Sequence, residues 1–277
     1  MSGTLYLVST PIGNLEDITL RALRILKEVD LIAAEDTRHT KKLLAHYEIH
    51  APLTSYFEHN KIVKGNYLRE KLLEGKDIAL VTDAGTPGIS DPGEKIAQEC
   101  ILSGIKVVPV PGPAALIASL SISGLSTDRF LFQGFLPKSG KEKKEFLTGL
   151  KKEAATLIFY ESPYRVKETL KIMLEVFGER RAAVIRELTK IYEDIRRGNL
   201  SELAECPFVL KGEFCIVVDG WKGMADKSIL KDEDLIKLVN NLQKDKNISL
   251  KKAVKQVALE NNLSVRTLYQ AVIKNKS

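Results

Sequence analysis

The stretch VTDAGTPGISDPG, residues 81–93, sets five glycines and prolines directly behind an apolar run that ends on an aspartate. An ordinary connection needs one or two such residues. Glycine reaches backbone conformations closed to other residues and lets a ligand approach the main chain, while proline fixes its own φ. The run before it, residues 78–82, shows no polar alternation, the pattern of a strand buried on both faces. Residues 92–103 then carry helical spacing, with Pro92 near the first turn and Gly104 just past the end. A buried strand, a shaped turn and a helix form one unit of a mostly parallel sheet. Such sheets take ligands outside the carboxyl ends of their strands, where this stretch begins.

The alternation extends in both directions. Residues 4–9 read as a strand ended by Pro11 and Gly13. Residues 17–28 read as a helix capped by Asp17, with Ile18, Leu20, Leu23 and Leu26 as its apolar stripe. A short strand at 31–34 and a helix at 37–47 follow. Beyond the opening stretch come a strand at 106–110, the breaker Pro111-Gly112-Pro113 and an apolar helix at 114–121. The pattern restarts with a strand at 129–135, a charged helix at 139–152, a strand at 156–160, a helix at 165–177 closed by Gly178 and a strand at 181–187. A helix at 199–205 and a strand at 212–219 complete it. The fold class is therefore α/β: two α/β domains, 1–123 and 124–221, with the boundary at residues 124–127 and a cleft between them.

Residues 222–277 form a small helical C-terminal extension. One helix is expected at 232–244. Leu250, Val254, Val257 and Ala258, then Leu268, Tyr269 and Val272, mark two more, punctuated by Asn261 and Asn262 with Ser264 as a cap. This reads as a helix-turn-helix or as a plain helical hairpin. The extension holds twelve Lys/Arg against six Asp/Glu, so the whole net charge of +6 falls on it. It is either a solvated helical surface or an arm that meets a polyanion.

Composition removes several classes. With 44% hydrophobic and 28% charged residues the chain is an ordinary globular protein. No apolar run approaches the roughly 18 residues of a membrane span, and no secretory leader is legible, so a cytoplasmic location is expected. The three cysteines, Cys100, Cys206 and Cys215, form no CxxC pair and read as buried or half-buried thiols. The four histidines lack metal-ligand spacing, so no metal is expected. No GxGxxG, GxxxxGK[ST] or GxSxG motif occurs, which disfavours dinucleotide, P-loop and serine-hydrolase sites.

Four Gly/Pro-rich turns remain: STPIGN (9–14), TDAGTPGISDPG (82–93), PVPGPAAL (109–116) and ESP (161–163). Together they describe a pocket built largely from main chain, able to read an adenine or an amino-acid group through backbone N–H and C=O. The segments LYLVSTPIGNLEDITLRALRILKEVDLIAAEDTRHTKKLL, TSYFEHN, VTDAGTPGISDPG, VPGPAALIASLSISGL, FQGFLP and FYESPYR resemble the tetrapyrrole methylase superfamily. More narrowly, they resemble its ribosomal RNA small subunit methyltransferase I branch. The likeness runs from Thr4 to about Trp221, and the tail resembles that branch's helical extension.

The resemblance implies the class III methyltransferase fold, with S-adenosylmethionine held between the two domains. It implies 2′-O-methylation of a decoding-centre cytidine in 16S rRNA of the small ribosomal subunit, a homodimer, and no membrane or DNA partner. By motif match, Pro11, the loop Asp83, Ala84, Gly85, Thr86, Pro87, Ile89 and Ser90, and the segment Pro111, Gly112, Pro113, Ala114 and Ala115 would contact the cofactor. The tetrapyrrole branch often has a Gly-Asp-Pro-type loop where this chain reads Asp83-Ala84-Gly85-Thr86-Pro87, a departure that fits the RNA branch.

For such a reaction a ribose hydroxyl must be aligned with the methyl group and must lose its proton. Glu35 and Asp36, at a strand end, are candidates for the base or its orienter, with Arg38 holding a phosphate; Asp36 or Thr37 capping a helix is the plainer reading. His59 and Asn60 follow Tyr56 and Phe57, which could stack on an unpaired base. Across the cleft, Glu161 could orient the ribose, and Tyr164, Arg165, Arg186 and Lys190 could grip RNA. A salt-bridge set between the domains would use the same residues. Residues 138–146 read as a solvated face. The rivals are a porphyrinoid methyltransferase and an RNA-binding assembly factor without transfer activity.

Overall fold

The computed structural model describes residues 2–223, 232–245, 248–260 and 265–274, and the chain forms two compact units, Met1–Trp221 and Lys222–Ser277. In the first unit, β1 (Thr4–Val8), β2 (Leu31–Ala34), β3 (Leu53–Ser55), β4 (Ile78–Val81) and β5 (Lys106–Val110) build a sheet in the order β3-β2-β4-β1-β5. Every pairing in it is parallel. Helices α1 (Leu20–Glu28) and α2 (Thr37–His46) cover one face, against Ala79 and Val81 of β4. Helices α3 (Lys61–Leu73) and α4 (Glu94–Leu102) cover the other, against Ile78 and Leu80. The two-residue period of a strand delivers alternate side chains to two separate cores. That is why β4, buried throughout, carries no polar residue.

A second sheet holds β6 (Phe130–Phe135), β7 (Thr156–Glu161), β8 (Arg181–Arg186), β9 (Asp194–Asn199) and β10 (Phe214–Val218), in the order β6-β7-β10-β8-β9. Here only β6 and β7 run parallel, and the other pairs are antiparallel. Helices α6 (Gly140–Gly149), α7 (Val166–Phe177) and α8 (Leu200–Glu205) pack on one face through Leu147, Leu170 and Leu203. The opposite face is covered by α5 (Ala115–Ser123), whose Leu116 and Leu120 meet Ile158, Ala183, Ile185 and Val217. The helix that leaves the first sheet thus packs on the second.

Local details differ from the sequence reading. Asp17 ends a short 3-10 turn, and Thr19 caps α1 by accepting a hydrogen bond from Ala22 N at 3.1 Å. Leu20 is 86% exposed, and the buried stripe runs through Ala22, Ile25 and Leu26. The helix expected from residue 92 starts at Glu94, because Gly93 at φ 153° cannot be helical. Elements β3, α3 and β9 carried no clear signal. The sequence of β9, DIRRGN, is polar, as suits the edge of a sheet. The α6 region is not a purely solvated face either, since Lys143 is fully buried.

In the second unit α9 (Asp232–Asp245), α10 (Leu250–Glu260) and α11 (Val265–Lys274) share a core of Leu235, Val239, Val254, Val257, Leu268 and Val272. The expected punctuation at Asn261, Asn262 and Ser264 lies outside the described residues. Among the described residues no helix is long and apolar enough to cross a membrane.

Candidate functional site

Parallel strands deliver all their carboxyl ends to one edge, so the loops after β1, β2, β4 and β5 meet there. They are laced together by short bonds. Thr10 and Gly85 exchange backbone hydrogen bonds at 2.9 and 3.0 Å. Ser9 Oγ and Thr86 Oγ1 share one at 2.9 Å, and Thr86 Oγ1 also donates to Pro113 O at 3.3 Å. Asp36 N donates to Asp83 Oδ1 at 3.1 Å, and Asp83 N donates to Glu35 Oε2 at 3.4 Å, closing the β2 and β4 ends over each other. Gly85 and Gly88 stand at φ 84° and 85°, which is why the turn needs glycine. Ser90 adopts φ 64° without being glycine, a strained conformation immediately before Asp91.

The end of the second sheet closes over this edge. Tyr160 accepts a hydrogen bond at its hydroxyl from Leu116 N at 3.0 Å, and Thr189 Oγ1 accepts one from Asn14 N at 3.2 Å. Between the two sheets lies a cavity of about 440 Å³. Its floor is Ile12, Asp83 to Thr86, Ile89 to Asp91, Ala114 to Leu116 and Ser119, with Glu35 also lining it. Its roof is Phe135, Tyr160 to Pro163, Ile185, Leu188 and Gly212 to Cys215. The size and mixed lining suit a cofactor-sized molecule.

Of the residues matched to the cofactor, Asp83, Ala84, Gly85, Thr86, Ile89, Ser90, Ala114 and Ala115 line this cavity. Pro11, Pro87, Pro111, Gly112 and Pro113 do not, and they shape the loops from behind. Gly112 is held to glycine by crowding, since a Cβ there would stand 2.9 Å from Ser9 Cβ.

The carboxylates separate by environment. Glu35 faces the cavity, and burial raises its pKa. Asp36 does not line it. Its carboxylate grips the exposed Arg38 at 2.7 Å and accepts from Arg38 N as the cap of α2, which holds its pKa well below the usual range. Asp36 and Arg38 therefore satisfy each other at the surface. Glu161 lines the roof and is held by a network of hydrogen bonds. Its oxygens accept from Ser162 N, Arg165 Nε and Thr169 Oγ1, each at 2.7 Å, and Lys143 Nζ backs Thr169 at 3.0 Å. These bonds make Glu161 an anchor for its neighbours, and Arg165 spends itself on Glu161 and on the carbonyls of Leu136 and Pro137.

Sequence reasoning missed Asp91. It lines the cavity, its carboxylate has no hydrogen-bond or ion-pair partner among the described residues, and burial together with Glu35, Asp83 and Glu213 lifts its pKa from 3.8 to about 7. Ser119 was missed too: its buried hydroxyl lines the cavity and, apart from the neighbouring Cys215 thiol, has no hydrogen-bond partner among the described residues. Asp91 was legible only as the last acid of an already quoted motif, and Ser119 gave no signal. Burial pushes the Cys215 thiol up to about 12, so it lines the cavity as an inert wall.

The expected RNA-gripping set is scattered. His59 is exposed, and Asn60 holds its own turn by accepting from Phe57 N at 2.8 Å. Tyr56 is 1% exposed and belongs to the core, so it cannot stack on a base. Arg186 donates to the carbonyls of Tyr192 at 3.0 Å and Lys211 at 3.4 Å, and Lys190 is paired with Glu187 at 2.8 Å and Glu213 at 3.0 Å. Both act as struts. Tyr164 stands free, 83% exposed. Among the described residues no group of His, Cys, Asp and Glu could hold a metal ion.

The family model of tetrapyrrole (corrin/porphyrin) methylases matches residues 4–204. A ribosomal RNA small subunit methyltransferase I of Halalkalibacterium halodurans is 54% identical over 220 residues, 79% of this chain and 76% of the relative. One of the same name from Bacillus subtilis is 47% identical over 276 residues, 97% of this chain and 94% of the relative. Among solved structures, uroporphyrin-III-C-methyltransferase from Thermus thermophilus superposes with a TM-score of 0.56 at 22% identity, covering 78% of this chain and 94% of that one.

Proposed function

The chain belongs to the tetrapyrrole methylase family, in its ribosomal RNA small subunit methyltransferase I group, and from that premise we propose that it methylates the 2′-hydroxyl of a decoding-centre cytidine in 16S rRNA. The observation that carries this reading is the unpartnered Asp91 carboxylate in a cofactor-sized cavity floored by the Gly/Pro-rich loops.

The cavity fits S-adenosylmethionine, the methyl donor of the family. The laced loops of the floor offer backbone groups to an adenine, the Ser119 hydroxyl adds a polar group, and the ring of Glu35, Asp83, Asp91 and Glu213 suits a cation and ribose hydroxyls. Bound there, S-adenosylmethionine supplies a methyl group that is electrophilic without further activation.

The chain's own residues do the rest. The loop from Asp83 to Ser90 fixes the cofactor, which confines reactants to one geometry and contributes up to about 7–11 kcal/mol in favourable cases. Asp91 accepts the 2′-hydroxyl proton at a carboxylate oxygen as the ribose 2′-oxygen takes the methyl group. A carboxylate with a pKa near 7 is half ionised at neutral pH, the condition under which a general base is most effective. Glu35, beside it, keeps that pKa raised by like charge. Glu161, Arg165 and Lys190 hold the roof in place. The 2′-hydroxyl restricts the substrate to RNA rather than DNA, and reaching it calls for local opening of the fold. The reading includes two lobes, 1–123 and 124–221, a homodimer, a cytoplasmic location and an assembled or partly assembled small subunit as substrate.

The test is mass spectrometry of nucleosides from small subunits incubated with enzyme and S-adenosylmethionine. A new 2′-O-methylcytidine supports the reading, and a base-methylated nucleoside or none contradicts it. Asp91→Asn should lower the rate at saturating S-adenosylmethionine by about 10²–10⁴-fold. An Asp91→Asn enzyme as fast as the wild type removes Asp91 from the role.

A further inference from the structure

Large apolar side chains stand exposed in a row along the end of the second sheet that roofs the cavity. Phe135 ends β6 at 60% exposure, Tyr164 follows β7 at 83%, and Ile191 and Tyr192 follow β8 at 93% and 72%. Val209 and Leu210 precede β10 at 54% and 46%. These strands are neighbours in the order β6-β7-β10-β8, so the row spans about 14 Å at roughly 4.8 Å per strand. Single exposed apolar residues are ordinary, but several gathered at one end of a sheet beside a cavity point to a binding surface.

The row is also held in place. Arg186 ties the Tyr192 and Lys211 backbones together, and the Phe135 ring leans edge-on against Tyr160 at 5.6 Å. Cations flank it: Lys138, just past β6, and Lys211, just before β10, are exposed and have no ion pair among the described residues. Aromatic faces flanked by unpaired ammonium groups match the composition of single-stranded nucleic-acid sites, where bases stack and the backbone is neutralised. A hydroxyl buried in a stacked fold reaches a cavity only when its neighbours unstack.

We propose that this ledge stacks unpaired RNA bases flanking the target nucleotide, with Tyr164 and Tyr192 as the platforms and Lys138 and Lys211 against the phosphates. The proposal rests on the RNA reading above. It explains why the roof presents apolar side chains to water beside a cavity whose own polar groups face inward.

Tyr164→Ala and Tyr192→Ala in the full chain test it. Each should raise the KM for small subunits by about fivefold or more, with kcat and S-adenosylhomocysteine affinity held, and Tyr192→Phe should recover the loss. An unchanged KM overturns the proposal. So does a change in oligomeric mass by light scattering in the alanine variants, which would make the ledge a contact between copies of this chain. Binding of a short fluorescein-labelled single-stranded RNA reads the ledge without any methyl transfer. Weaker binding by both alanine variants supports it even where the wild type methylates nothing, a result that would sink only the reaction. Equal binding overturns it.

Discussion

The two walls of the cavity are built by different means. The floor is shaped mainly by backbone: Gly85, Gly88 and Gly93 take positive φ, Thr10 and Gly85 pair main chain to main chain, and short side chains such as Thr86 and Asp83 tie the loops to one another. The roof is held by side chains. There Glu187 and Thr189 take positive φ without being glycine, Lys190 lies over Gly13, and Glu161, Arg165 and Arg186 act as struts. A wall made of main chain depends on where the chain can bend. A wall made of struts depends on charges staying paired. The first tolerates a lost side chain and the second does not.

Breaking a roof strut is the severest test of that contrast. Glu161→Ala leaves Arg165 and the Thr169 hydroxyl, which the buried Lys143 backs, without the carboxylate they share, and should lower folding stability by about 3–5 kcal/mol in a urea titration. Little loss would mean that the roof does not depend on this network.

The floor should fail through geometry instead. At Gly93, φ is 153° and a Cβ would stand 2.8 Å from Gly88 N, so Gly93→Ala should cost about 1–3 kcal/mol and disturb the loop that bears Asp91. Gly104→Ala sharpens this comparison: φ is 70° but nothing lies within 4 Å, so the cost should fall to about 1–2 kcal/mol and activity should persist.

Smaller still is a pH effect centred on Asp91. Its folded pKa near 7 lies above its ordinary 3.8, so the folded state holds the proton more tightly than the unfolded chain. The associated stability is fully present below about pH 4 and is lost as pH rises through 7. Asp91→Asn should match the wild type near pH 4 and melt at a higher temperature at pH 8. A constant offset across that range would show that Asp91 does not titrate there. Asp36→Asn should leave the melting temperature unchanged, because the Asp36–Arg38 pair is exposed and asparagine caps a helix as well.

The same contrast decides what was legible in the sequence. The first sheet was readable because its buried strands carry uniform apolar runs and its turns carry glycine and proline. Ile78 to Val81 and the loop behind it announce themselves. The roof was not. Polar β9 hides at a sheet edge, and Glu187 and Thr189 adopt glycine-like backbone without the glycine that would have signalled it. Asp36 and Glu161 each had a catalytic and a structural reading, and sequence alone cannot show that Arg38 and Arg165 pair with them. Asp91 looked like one more turn residue because its raised pKa comes from burial and from acids distant in sequence. Lys143 and Tyr56 were misjudged for the matching reason: a charged or aromatic residue in a polar segment gives no sign that tertiary packing will bury it.

The most direct test of the central claim is a crystal structure with S-adenosylhomocysteine. The account predicts its density between the Asp83–Ser90 loop and Tyr160, with the sulfur turned toward Asp91. Density outside this cavity, or a sulfur turned away from Asp91 toward the apolar wall, would contradict it.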